Sequence, residues 1–253
     1  MERRADALEL LDGPLDDPAA LEGNLRDLGR VNRWLGGASL SGPAIDALTA
    51  HRDEVTLLDV GTGGADIPIA LLERATERSR GLSVVAIDSR PEVLAAAVRT
   101  RPGVAAAAGL QLHVGDGRSL PYPDRSFDVA HTSMVVHHLE PEEAVALLRE
   151  MGRVARLGVV VNEVDRTRFG LLGAWLMGHL LTTNRYTRHD AVLSVRRSYR
   201  APEMVALLRR AGLTPVRIVR GAFGQRYAIA ALPTPDEPPT DPAGRPDPLG
   251  AGE

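Results

Sequence analysis

From residue 55 onward, short apolar runs alternate with amphipathic segments, and this alternation leaves the chain few folds to adopt. The runs fall at 55–60, 82–87, 110–114, 127–130 and 159–161. They are brief, rich in β-branched residues and nearly continuous in apolar character, the pattern of parallel strands covered on both faces. Helical periods lie between them. One helix starts near Asp66, carries Pro68 in its first turn and sets Ile67, Ala70, Leu71 and Ala75 on one stripe. A second starts at Ser89 with Pro91 early, and a third runs from Pro141 through Leu147, Leu148 and Met151. Strand-helix-strand repetition predicts a doubly wound α/β sheet that is mostly parallel.

The flanks depart from this rhythm. Residues 1–52 read as a helical N-terminal cap. Leu21, Leu25, Leu28 and Leu35 fall near a helical period, and Gly36-Gly37 stops the helix. The main domain is expected over 53–233. After the fifth run, an apolar segment at 167–183 and a polar loop at 182–190 form an insertion reaching about residue 198. A helix over 201–211 ends at Gly212. Two further runs, 216–219 and 227–232, are separated by the short 221–225 link and read as an antiparallel hairpin. They bring the sheet to seven strands with an antiparallel C-terminal strand. Residues 234–253 are rich in Pro, Gly and Asp, which predicts a disordered tail.

Composition narrows the function. The formal net charge of −3 supplies no general field for nucleic acid or an anionic membrane. There is no Cys, so disulfides, thiolate metal sites and a cysteine nucleophile are excluded, and a reducing cytoplasm is compatible. Residues 1–6 lead into no long apolar run, so no signal peptide is expected. The apolar stretch 171–181 is too short to cross a bilayer and reads as a buried or capping helix. No His/Asp/Glu set stands at metal-ligand spacing, so no metal is expected. The chain is expected to be a monomer or a homodimer.

The strongest local signal is Leu57-Leu58-Asp59-Val60-Gly61-Thr62-Gly63-Gly64-Ala65-Asp66. An apolar strand enters a glycine-rich turn, and the turn opens a helix. Glycines allow close backbone approach to a ligand at the strand's C-terminal end, where such sheets have their crevice. Two acids follow in order. Asp88 ends the second strand, where a carboxylate can accept both hydroxyls of a ribose. Asp116, in His113-Val114-Gly115-Asp116-Gly117, follows the third, where a carboxylate can accept an adenine amino group. Each acid alone is equally a cap or a turn residue; three loops after three consecutive strands are more specific. A dinucleotide fingerprint, G-x-G-x-x-G, fits Gly61 and Gly63 but meets Asp66 at its third position. An acid there repels a pyrophosphate.

This order of loops resembles the class I S-adenosylmethionine-dependent methyltransferases over roughly 53–165, and more loosely over 201–233. Leu120-Pro121-Tyr122-Pro123-Asp124-Arg125-Ser126-Phe127-Asp128 resembles that family's lead into the fourth strand. With His137-His138-Leu139 it is most similar to the ubiquinone/menaquinone-biosynthesis and natural-product type of secondary metabolism. The resemblance implies S-adenosylmethionine as cofactor. Gly61 and Gly63 would lie against its methionine part, Asp88 on the ribose and Asp116 on the adenine. Asp59 would orient the turn and the cofactor's amino group, and Ser133 would lie near the sulfonium. Thr62, Ser89 and Gly117, in the same loops, complete the set.

The acceptor side is less defined. His137 and His138 are candidate bases, tunable near neutral pH, or a structural pair at a helix entrance. His131, inside the fourth strand, reads as packing. Asn162, Glu163 and Asp165 sit at a sheet end that faces the acceptor, or Glu163 serves as a cap or the partner of an Arg. Trp34, Trp175 and Tyr186 line a pocket or simply pack. Arg185, Arg188, His189, Arg196 and Arg197 hold an acidic substrate or form a solvated face. The apolar insertion favours a hydrophobic or aromatic small-molecule acceptor, such as a phenol, quinol or polyketide, methylated on oxygen or carbon. A nucleic-acid or protein methyltransferase is the alternative. Against the former, Thr132-Ser133-Met134-Val135 stands where amino-methylating enzymes carry [DNS]-P-P-[YFW], and no basic, aromatic-interleaved appendage is present. A catalytically silent cofactor-binding scaffold on the same fold is a further alternative.

Overall fold

The computed structural model describes Arg3 and residues 9–234; all but one residue of the 234–253 tail lies outside the described residues. Seven strands form one sheet: β1 (Glu54–Val60), β2 (Gly81–Asp88), β3 (Leu110–Val114), β4 (Phe127–Ser133), β5 (Ala155–Val164), β6 (Leu213–Arg220) and β7 (Arg226–Pro233). Their spatial order is β3-β2-β1-β4-β5-β7-β6. The first five are parallel, while β7 runs antiparallel to both β5 and β6. The order reverses between β1 and β4, so a crevice opens at their C-terminal ends.

Helices cover both faces. α1 (Pro18–Leu35) and α2 (Ala38–Thr49) precede the sheet. α1 starts where Asp17 accepts from the Ala20 amide, and it ends at Gly36, whose φ of +105° is a left-handed cap. α3 (Asp66–Glu77), α4 (Pro91–Thr100), the short α5 (Gly103–Ala106), α6 (Pro141–Val154), α7 (Arg168–Leu176), α8 (Arg185–Arg197) and α9 (Ala201–Arg210) follow. One core, built on Leu58, Val159, Ile229, Leu148 and Met204, lies under α6 and α9; a second, built on Leu57, Val160, Ala44 and Leu71, lies under α2 and α3. A third joins α1, α4 and α8 through Leu21, Leu25, Val93 and Tyr186.

Three expectations are corrected. The second of the sheet helices begins at Pro91, not Ser89. β3 is not covered on both faces: it is the sheet edge, and Val114 is exposed. The stretch 182–190 is not all loop, because α8 starts at Arg185 and is capped by Asn184, whose side chain accepts from the Tyr186 and Thr187 amides. The buried stripe of α8 includes Tyr186, Thr187, Asp190, Ser194 and Arg197. Its inward face is largely polar, so no apolar period announces it.

The apolar segment before α8 forms α7 and a five-residue π-helical turn, Met177–Leu181. α7 has no buried residue, and Leu180 and Leu181 are exposed. It is a capping element rather than a core helix. Among the described residues, no helix is long and apolar enough to cross a membrane.

One glycine fixes the join between the sheet's halves. The β4–β5 register slips between Phe127 and Val129, opposite Ala155 and Gly158. A Cβ on Gly158 would stand 2.4 Å from the Ala231 carbonyl oxygen of β7. Gly158→Ala is therefore expected to destabilise the protein by about 2 kcal/mol or more. A thermal melt should show the midpoint falling by roughly 4–8 °C.

Candidate functional site

A cavity of about 1080 Å³ opens at the β1/β4 reversal. The whole predicted cofactor set lines it: Asp59, Gly61, Thr62, Gly63, Asp88, Ser89, Asp116, Gly117 and Ser133. The glycine turn is built by the backbone. The Gly61 and Thr62 amides both donate to the Ile87 carbonyl, tying the turn after β1 to the end of β2. Gly61 and Gly63 have φ of +72° and +54°, where side chains are strained. A Cβ on Gly61 would strike Val135, whereas one on Gly63 would meet no protein atom within 4 Å. Gly117 is required by packing, since its Cβ would stand 2.4 Å from Val60.

Asp88 accepts from the Gly63 amide (3.0 Å) and from the Arg90 amide (3.0 Å). Burial pushes its carboxyl above the usual range, and these two amides work against that rise. Asp116 is half exposed and pairs with Arg118 at 3.0 Å, a hydrogen bond that holds its carboxyl below the usual range. Thr62 contributes a buried hydroxyl oxygen without a protein partner. An open cradle at Gly63, an orphaned hydroxyl and two carboxylates on one wall fit an adenosyl cofactor.

Beneath the turn runs a chain of hydrogen bonds. Arg226 Nε donates to Asn162 Oδ1 (2.6 Å), and Asn162 Nδ2 donates to Ser41 Oγ (2.8 Å) and the Gly36 and Gly37 carbonyls. Ser41 Oγ meets His131 Nε2 at 2.8 Å, and His131 Nδ1 meets Asp59 Oδ1 at 2.5 Å. Arg226 also donates to Asn32 Oδ1 and Ser133 Oγ, each at 2.8 Å, and Asn32 donates to Asp66. His131 is thus a polar link and not only packing. Burial lowers Arg226 to about 10.

His137 and His138 line the cavity, but Glu163 does not. Glu163 is fully buried: Oε1 accepts from the Val136 amide (2.8 Å) and Oε2 meets His137 Nδ1 (2.9 Å). Burial works to raise its carboxyl, but His137, His138 and Arg226 together outweigh that and hold it below the usual range. It fixes the turn after β4. His138 Nδ1 meets Asp12 Oδ1 at 2.7 Å. Asp12 is lowered: burial opposes the shift, and His138 and Arg197 together overcome it. Glu9 stands beside both imidazoles, and burial raises its carboxyl to about 7.

Neither tryptophan lines the cavity. Trp34 is 80% exposed on α1, because Leu28, Val31 and Leu35 take the inward stripe. Trp175 is 48% exposed and stacks on His179 at 4.7 Å; Leu172, Leu176 and Met177 face the cavity instead. Tyr186 is core. The basic cluster does not face the cavity as a set. Arg185 pairs with Asp16 and Asp17, and Arg197 is buried against Asp12 and the His138 carbonyl. Sequence reasoning missed Glu9, Asp12, Asn32, Ser41 and Arg226. Apart from a charge at the head of an apolar strand for Arg226, nothing local marks them.

Residues 57–158 match the family described as a methyltransferase domain. A ubiquinone/menaquinone biosynthesis C-methyltransferase from Dinoroseobacter shibae is 30% identical over 195 residues, covering 72% of this chain and 74% of that protein. The chain belongs to the class I S-adenosylmethionine-dependent methyltransferases. A demethylmenaquinone methyltransferase from Roseiflexus castenholzii is 35% identical over 125 residues, 47% of this chain and 48% of that protein. The solved structure of a SAM-dependent methyltransferase from Aquifex aeolicus has the same fold, with a TM-score of 0.60 at 18% identity over 86% of this chain and 99% of that one. The cofactor of this methyltransferase is S-adenosylmethionine.

The buried chain generates a stability prediction. In Asn162→Leu, Arg226 Nε and Ser41 lose a partner in a site closed to water. The expected cost is about 3 kcal/mol, read as a melting-point fall of roughly 6–12 °C by calorimetry.

Proposed function

We propose that the protein methylates an oxygen or carbon atom of a hydrophobic or aromatic small molecule, phenolic, quinol-like or polyketide-like. The observation that carries this reading is the continuity of one cavity. The loops of the cofactor set share it with apolar side chains of α1 and α7, namely Leu28, Val31, Leu35, Phe169, Leu172 and Leu176. An apolar lining of this kind beside the cofactor loops suits a greasy or planar acceptor. The N-terminal helices and the 168–197 insertion are its roof. The name of the Dinoroseobacter relative, a C-methyltransferase of quinone biosynthesis, argues in the same direction. A cytoplasmic location fits the cysteine-free chain.

The cofactor supplies an electrophilic methyl group on a sulfonium. The chain's own residues bind and align. Asp88 would receive the ribose hydroxyls, Asp116 the adenine amino group, and the Gly61–Gly63 turn the methionine part, with Thr62, Ser89 and Gly117 alongside. Asp59, held by His131, would keep the turn in place, and Ser133, held by Arg226, would lie by the sulfonium. In-line displacement needs little beyond alignment, exclusion of water and management of one proton. The polar wall of His137 and His138 orients the acceptor's reacting atom, and its proton is managed there.

Two outcomes test this. Asp88→Ala and Gly63→Val are each expected to abolish S-adenosylhomocysteine binding by calorimetry while circular dichroism stays native. Unchanged affinity in both would sink the cofactor assignment. With radiolabelled S-adenosylmethionine, turnover is expected on a panel of phenols or quinols and not on tRNA or protein; the reverse pattern would overturn the acceptor reading.

A further inference from the structure

Glu9 has a carboxylate oxygen, Oε1, that is buried and has no hydrogen-bond partner, and the residue is only 3% exposed. Water cannot relieve it there, so it costs free energy unless something else occupies its lone pair. The groups facing the carboxyl are two imidazole nitrogens and the Ser194 hydroxyl. His137 Nε2 stands 3.6 Å from Glu9 Oε1, and His138 Nε2 stands 3.9 Å from Glu9 Oε2. Both separations are too long for hydrogen bonds. One donor atom from each of Glu9, His137 and His138 lies within 4.8 Å of the others.

The histidines are prepared for a particular task. His137 Nδ1 meets Glu163 at 2.9 Å, and His138 Nδ1 meets Asp12 at 2.7 Å. A neutral imidazole whose Nδ1–H is committed to a carboxylate presents the Nε2 lone pair. The two Nε2 atoms and the unpartnered carboxylate oxygen then converge. Carboxylate-backed histidines aimed at a common point are the usual second layer of a metal centre. Around a tetrahedral ion with ligand bonds near 2.1 Å, ligand atoms stand about 3.4 Å apart. The three donor atoms, within 4.8 Å of one another, draw together on one ion by side-chain adjustment.

The outer carboxylates are held in turn. Glu163 accepts from the Val136 amide, and Arg197 donates to Asp12 Oδ2 at 2.6 Å and to the His138 carbonyl at 2.8 Å. Such anchoring fixes the two rings at 4.3 Å between centroids.

We propose that Glu9, His137 and His138 bind one divalent first-row transition-metal ion in the wall of the cavity. Two imidazoles and a carboxylate suit Zn²⁺, Fe²⁺, Co²⁺ or Ni²⁺ and disfavour Mg²⁺ and Ca²⁺. All three residues line the methyl-transfer cavity. Three protein ligands leave a coordination position for an outside oxygen. Resting on the acceptor reading above, that oxygen is the acceptor's own hydroxyl or carbonyl, held by the ion in a fixed orientation.

The test uses the full chain, stripped of metal with a chelator and titrated with ZnCl₂ or CoCl₂, with S-adenosylhomocysteine binding measured in parallel. The expected result is one Zn²⁺ per chain. Its affinity should fall at least a hundredfold in E9Q and in H138Q, and roughly tenfold or more in D12N. Co²⁺ should give visible ligand-field bands that Zn²⁺ displaces. His138 is a quarter exposed, so H138Q should fold even if E9Q does not, and the Co²⁺ spectrum of the unaltered chain needs no variant. Absence of one-to-one binding, or equal affinity in the unaltered chain and H138Q, overturns the proposal. If the ion binds but phenols and quinols are not methylated, the metal site stands and the acceptor reading falls. Turnover that persists fully in the stripped protein removes the ion's role at the acceptor.

Discussion

Arg226 and Asp59 are both buried below the reversal point of the sheet, and one run of hydrogen bonds joins them. Arg226 donates to Asn162 and Asn162 to Ser41; Ser41 Oγ meets His131 Nε2, and His131 Nδ1 meets Asp59. Away from water, the members of such a run polarise one another. The run crosses β7, β5, α2, β4 and β1. It therefore fastens the antiparallel part of the sheet, the N-terminal helices and the strand that feeds the glycine turn. Without it, Asp59 would have no fixed orientation, nor would Gly61 and Gly63 beyond it. A cofactor crevice needs this kind of stiffness, because its donors and acceptors must stand in place before the ligand arrives.

The glycine turn and the acids that share its wall were legible in the sequence because each is local. Gly61 and Gly63 follow an apolar run, Asp88 and Asp116 close two others, and the order of the runs says which ends meet. The fold followed from the same periodicity. The polar supports were not legible. Asn32, Ser41 and Arg226 come from three separate elements, and an isolated polar residue in an apolar segment carries no mark of its partner. Glu9, His137 and His138 are the sharper case. Ligand spacing within one stretch is readable; a carboxylate at one end of the chain and two imidazoles near its middle become neighbours only through the fold.

α8 was hidden for a related reason. Its inward face bears Thr187, Asp190 and Ser194 along with Tyr186, so the expected apolar stripe is missing. Those polar groups have employment: Asp190 accepts from the Leu10 and Leu11 amides, and Thr187 bonds Asp27 on α1. The helix fastens the N-terminal segment that carries Glu9 and Asp12 over the cavity. Trp34 and Trp175 illustrate the opposite error. Aromatic character suggested the pocket, but helical phase turned both rings away and left leucines facing it.

β7 is the last described strand in sequence and an interior one in space, lying between β5 and β6. Arg226, at its head, reaches Asn32 across 194 positions of sequence. During synthesis the five parallel strands emerge first, with the edge of β5 bare until the final hairpin arrives. A nascent chain stalled before residue 226 would display an apolar β5 edge without its β7 partner and lack the Arg226 contacts to Asn162, Asn32 and Ser133.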